Sequence, residues 1–93
     1  MRINNFDVEF VDTIPSELKE GVLYISKPCM VGVHLCACGC GEKTVTPFDD
    51  QYGWKLSIYN SDKVIVTLRP SIGNYQIPCK SHYYITKSKV EWL

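Results

Sequence analysis

The chain has 93 residues, near the lower limit of what one hydrophobic core stabilises unaided, so a single domain over residues 1–93 with some additional staple is expected. Ten Lys and Arg balance ten Asp and Glu, which leaves no overall field to draw the protein to nucleic acid or to a lipid surface. The most apolar window, PCMVGVHLCACGCG, is too short to cross a bilayer and contains a His, which excludes a membrane-spanning helix there.

In chain order, FDVEFV alternates, with Phe6, Val8 and Phe10 on one side and Asp7 and Glu9 on the other, the period of a half-buried strand. PSELKEG follows, with Pro15 suited to a first helical turn and Gly21 to a stop, so a turn or a short helix is predicted. GVLYIS reads as the second strand. VGVHLCAC, if extended, puts Val31, Val33 and Leu35 on one face and His34, Cys36 and Cys38 on the other, and Gly39 and Gly41 permit a sharp turn through GCG. KTVTPF resumes a strand as far as Pro47, and PFDDQYG is a loop.

WKLSIY and KVIVTLR, joined by the short polar NSD, form a predicted hairpin with Leu56 and Ile58 inward on one arm and Val64, Val66 and Leu68 on the other. PSIGNYQIPCKSH is rich in turn residues and reads as a loop. YYIT and KVEWL close the chain as two strands bent at Lys87 and Ser88. The expected fold is therefore all-β, a small single domain of about six or seven short antiparallel strands with little helix.

Five cysteines supply the candidate staple, as disulfides or as metal ligands according to compartment. The N-terminus, MRINNFDVEF, is polar and acidic where a secretion signal needs an apolar run, so a cytoplasmic chain with reduced thiols is expected. Cys36, Cys38 and Cys40 cluster, and Cys79 stands far along the chain. A structural zinc ion takes four N or S ligands in a tetrahedron, and joining two distant segments closes a long stretch of chain. Two ligand sets fit the spacing: Cys36, Cys38, Cys40 and Cys79, or a set in which His82 of CKSH replaces one clustered thiol. HLC followed by CKSH is also similar to the two-Cys, two-His pattern of Rieske proteins, with the first element reversed. Cys29, beside Pro28, is expected to be a small buried side chain and not a ligand.

RPSIGN places Ser71 directly after a strand with Gly73 and Asn74 behind it. A strand-to-loop corner can present a hydroxyl, and the backbone N–H groups from Ile72 to Asn74 are candidates to stabilise an oxyanion. Serine needs a base, and His82 is the nearest in sequence. Read from the residues alone, the favoured account is that PSIGN is a turn in which Ser71 bonds its own backbone while His82 binds metal.

The blocks HLCACGCGEKTVTP, PSIGN, PCKSHYYI and KVEW, in that order and spacing, resemble a family of small bacterial and phage-type domains linked to bacterial ubiquitin-like conjugation operons. The likeness runs from about Val31 to Trp92. It implies a deubiquitinase-like serine peptidase that matures or removes ubiquitin-like modifiers, with Ser71 as nucleophile, His82 as base and Cys36, Cys38, Cys40 and Cys79 around a structural Zn2+. The implied partner is a ubiquitin-like protein or its conjugates, whose extended tail an exposed strand edge could pair with; Trp54, Tyr75, Tyr83 and Tyr84 could line the groove, with core packing the default for each of them. No acid stands near His82 in sequence, so Asn74, Ser81 or a distant carboxylate orients it, or the pair works as a dyad. The rival expectation is a non-catalytic zinc-ribbon interaction module.

Overall fold

The computed structural model describes residues 3–48, 53–60, 64–73 and 79–93. Its strands are β1 (Asp7–Phe10), β2 (Val22–Ser26), β3 (Val31–Leu35), β4 (Lys43–Pro47), β5 (Lys55–Asn60), β6 (Val64–Gly73), β7 (His82–Thr86) and β8 (Lys89–Trp92). They form two four-stranded sheets, ordered β1-β2-β3-β4 and β5-β6-β7-β8. The fold is all-β, as the alternation predicts, and no described residue is helical. The short helix allowed for PSELKEG does not form. Gly21, at φ 79°, instead turns the chain into β2. β1 and β2 pair in parallel, and the other ladders are antiparallel.

Alternation predicts the strands well but not always the face that turns inward. Leu23, Ile25, Val66, Leu68, Ile72, Tyr83 and Ile85 come from both sheets and meet in one buried cluster with Phe6. Each large apolar side chain so buried contributes about 1.5–3 kcal/mol relative to exposure. In β4 the pattern is inverted: Thr44 and Thr46 are buried while Val45 is 45% exposed. The buried Thr46 hydroxyl is satisfied by donating to the Gly32 carbonyl across the β3–β4 ladder at 3.1 Å. Ile58, predicted inward, is 37% exposed because it lies on an edge strand near the end of the hairpin. The NSD connection lies outside the described residues.

The largest departure from expectation concerns PSIGN. Pro70 to Gly73 are not a loop; they extend β6, with Ile72 opposite Tyr83 and Gly73 opposite His82. Ile72 is 1% exposed, and that anchor outweighs the turn propensity of its neighbours. Pro70 is tolerated because it falls within the register shift between Leu68 and Ile72, where the ladder to β7 is interrupted. Asn74 and Tyr75 lie outside the described residues.

The N-terminal segment closes one sheet edge. The Phe6 N–H donates to the Ser88 carbonyl at 2.7 Å and the Val90 N–H to the Asn4 carbonyl at 2.8 Å, so Asn4–Phe6 lies along β8.

Candidate active site and thiol cluster

β3 ends at Leu35 and delivers the chain into the CACGC turn. The Gly39 N–H donates to the Cys36 carbonyl at 3.1 Å, and Gly39 and Gly41 take φ values of 88° and 83°, angles that disfavour any side chain. The turn therefore needs both glycines to fold back so tightly. Cys79 arrives from the segment before β7. The Sγ atoms of Cys36, Cys38, Cys40 and Cys79 all lie within 4.8 Å of one another.

The spacing decides between chemistries. Cys36 Sγ is 3.5 Å from that of Cys38 and 3.7 Å from that of Cys79. A disulfide requires about 2.05 Å. Tetrahedral zinc with Zn–S near 2.3 Å sets its sulfurs about 3.8 Å apart, which fits. Burial, aided by hydrogen bonds with the Cys40 and Cys36 thiols, pushes Cys38 up to about 12, and Cys40 is raised mainly by burial. Burial acts the same way on Cys79, but hydrogen bonds from the Ser81 hydroxyl and backbone outweigh it and bring this thiol down to about 6. Thiols this close cannot all ionise unaided, whereas a divalent cation among them would hold all as thiolates. The cluster can hold a metal ion.

Ser81 is the contributor that spacing did not reveal as part of this cluster. Its hydroxyl lies 2.9 Å from Cys36 Sγ and 3.4 Å from Cys79 Sγ. The available clue is its place two residues beyond Cys79, within reach of a ligand's own turn. Hydroxyl donors of this kind orient metal-bound thiolates.

His82 follows directly. It opens β7, opposite Gly73 of β6, and its Nε2 is 2.6 Å from Ser71 Oγ. The two side chains are 11 residues apart in the chain and reach one another diagonally across a ladder, because residues 71 and 73 share a face of β6. A serine hydroxyl that donates to imidazole Nε2 is the arrangement that activates a nucleophile. His82 thus engages Ser71, and the cysteines group without it.

Other candidate residues sort plainly. His34 is fully buried, with Nε2 2.8 Å from the Tyr83 hydroxyl and its ring edge-on to Phe6, so it belongs to the core and not to a Rieske-like site. Burial lowers its pKa to about 4. Tyr83 is fully buried as well and lines no groove; its neighbour Tyr84 faces outward beneath the Arg69 guanidinium, 4.6 Å from the ring centroid. Trp54 is half-buried against the core. Cys29, expected to be buried, is exposed, with Sγ 3.7 Å from the Asp12 carbonyl, because the Lys27–Met30 turn carries it out of β2 and away from the sheets.

The candidate oxyanion donors divide. The Leu93 N–H donates to the His82 carbonyl, so the His82 backbone faces β8, Tyr83 faces β6, and Ile72 spends its own N–H on Tyr83. Gly73, next in the strand, points its N–H the other way. Asn74 is outside the described residues.

A hydroxyl–imidazole pair on an all-β scaffold thus stands beside a four-thiol cluster that could hold a metal ion. A family model described as bacterial ubiquitination-like system serine protease (BubE) matches residues 10–93, and the chain belongs to that family. No curated protein and no solved structure matches it significantly.

Proposed function

We propose that the protein is a cytoplasmic serine peptidase that processes or deconjugates a bacterial ubiquitin-like protein at its C-terminal Gly by acyl transfer. The observation that carries this is the 2.6 Å contact between Ser71 Oγ and His82 Nε2. His82 accepts the Ser71 proton as Oγ attacks the Gly carbonyl carbon, and the Gly73 N–H, turned from the β6–β7 ladder, stabilises the oxyanion. The imidazolium returns its proton to the departing amine or alcohol as the bond to Gly breaks. Water then adds to the acyl-enzyme with His82 as base, and Ser71 is regenerated.

Cys36, Cys38, Cys40 and Cys79 would hold one Zn2+. Four thiolates leave no open coordination position, so the ion would serve the structure and not the substrate. By fixing Cys79 to the CACGC turn it would hold the short segment that ends in His82. None of the five cysteines is in a disulfide, which suits a reducing compartment.

The test is cleavage of a ubiquitin-like protein extended beyond its terminal Gly, with wild type and Ser71→Ala compared. Loss of cleavage with an unchanged melting temperature supports the peptidase. Equal behaviour of the two proteins, with retained binding of the modifier, would leave the non-catalytic zinc-ribbon module as the account.

A further inference from the structure

Among the described residues, β6 carries a piece of unpaired strand edge at the proposed nucleophile. Which way its backbone points follows from the ladders. Ile72 spends its N–H and C=O on β7, as the Leu93–His82 bond requires. At the other end of the strand, the Ser88 N–H donates to the Val66 carbonyl and the Val66 N–H donates to the Ser88 hydroxyl, so Val66 also faces β7. Between these points the ladder shifts register, four steps along β6 from Leu68 to Ile72 matching two along β7 from Ile85 to Tyr83, while Thr67 and Arg69 pair with β5. Thr67, Arg69, Ser71 and Gly73 therefore turn their backbone groups toward the β5 side.

β5 serves only part of that side. It begins at Lys55, opposite Arg69, and Gly53 and Trp54 before it are not part of the strand. Among the described residues, none pairs with Ser71 or Gly73 beyond the end of β5. Their side-chain pattern agrees with an extended strand: Ile72 is buried, Ser71 half-buried and Gly73 exposed. The far edge of the same sheet is covered by Asn4–Phe6 on β8.

We infer that the extended C-terminal tail of the ubiquitin-like modifier docks here as an added strand beside Ser71–Gly73, beyond the Lys55 end of β5. This rests on the peptidase reading for the identity of its occupant. The Ser71 N–H would donate to a tail carbonyl, and the Ser71 and Gly73 carbonyls would accept from tail N–H groups, leaving the Gly73 N–H for the oxyanion. An added strand lies about 4.8 Å from its neighbour. The tail would then flank Ser71 on one side while His82, on β7, flanks it on the other, so nucleophile, base and scissile carbonyl stand in sequence across the sheet. Gly-rich tails suit such a site because small residues let two backbones approach closely.

The probe is an acetylated hexapeptide ending in Gly-Gly amide, with a set of versions each N-methylated at one backbone amide. Binding to the Ser71→Ala protein is measured by NMR, along with amide exchange at positions 71 and 73, and the His82→Ala protein serves as a second host. Strand addition predicts that N-methylation weakens binding about tenfold at alternate tail positions and little at those between, one lost hydrogen bond each. It also predicts slowed exchange at position 71. Uniform sensitivity along the tail, unchanged exchange with peptide bound, or no binding at millimolar peptide overturns the edge. Hydrolysis of p-nitrophenyl acetate by the wild type separates the two ideas. Ser71-dependent ester turnover with no alternation sinks the edge and keeps the hydrolase, whereas alternation without any turnover of ester or modifier keeps the edge and sinks the hydrolase.

Discussion

At the scale of single residues, the two histidines divide the work that their chemistry allows. His82 is half-buried with Nε2 on Ser71, and His34 is fully buried with Nε2 on Tyr83. His82→Ala removes the proposed base without touching a thiol. The variant should keep one bound metal ion by native mass spectrometry and a near wild-type melting curve, while modifier cleavage falls by at least about a thousandfold. Metal lost together with the fold would make His82 a ligand and remove the dyad. His34 governs acid stability instead. Its folded pKa, about 4, lies below the ordinary 6.5, so the unfolded chain binds the proton more readily. Stability from this group is complete above pH 6.5, declines as pH falls toward 4, and loses no more below that, a total of roughly 3 kcal/mol. Urea unfolding of metal-loaded protein at pH 4 to 8 checks this, because His34→Phe should show a shallower decline than wild type. Parallel curves for the two proteins would show that His34 is not responsible.

At the scale of elements, the side chains of Thr46 and Phe48 crowd Gly32 on β3. A Cβ there would lie 2.9 Å from Thr46 Oγ1 and 2.9 Å from the Phe48 ring, and Thr46 already bonds the Gly32 carbonyl. Gly32→Ala should destabilise by about 1–3 kcal/mol through overpacking and loss of that bond. Because these strands stand in the other sheet from Ser71 and His82, kcat at 20 °C should change little while the melting temperature drops. A variant as stable as wild type would mean that Phe48 swings aside freely. Elements also show where sequence reading succeeds. Strands such as YYIT and KVEW are legible because burial imposes a period on them. PSIGN is not, since Pro, Ser, Gly and Asn each favour turns and only the tertiary anchor of Ile72 in the core overrides them. Thr46 misleads for a related reason: a hydroxyl that finds a carbonyl across the ladder can be buried, and alternation does not report the partner. The Ser71–His82 pair was legible as two candidate residues. That they face one another depends on the Gly73–His82 register, and pattern alone does not set register here.

At the scale of the whole molecule, the thiol cluster links the fold to the site. Cys36 and Cys79 are 43 residues apart, and that interval contains β4, β5 and β6. Cross-linking a loop of that length restricts the unfolded chain by about 4 kcal/mol in the loop-entropy treatment, before any ligand-bond energy. For a small core this is a large share of a typical stability. His82 lies three residues beyond Cys79, and the Ser81 hydroxyl between them touches both Cys36 and Cys79, so a metal cross-link there would also fix the position of the proposed base. Stability and activity should therefore fail together. Titrating the protein with a chelator under reducing conditions should lower the melting temperature and abolish Ser71-dependent cleavage in step with loss of one equivalent of metal, and adding Zn2+ back should restore both. Ser81→Ala gives the graded form of the same experiment, because removing a hydroxyl donor to two thiolates should weaken metal affinity by about 10–100-fold with every ligand still present. Cleavage that persists after the metal is gone would show that the strands alone hold His82 against Ser71, and the thiol cluster would then serve stability without serving the site.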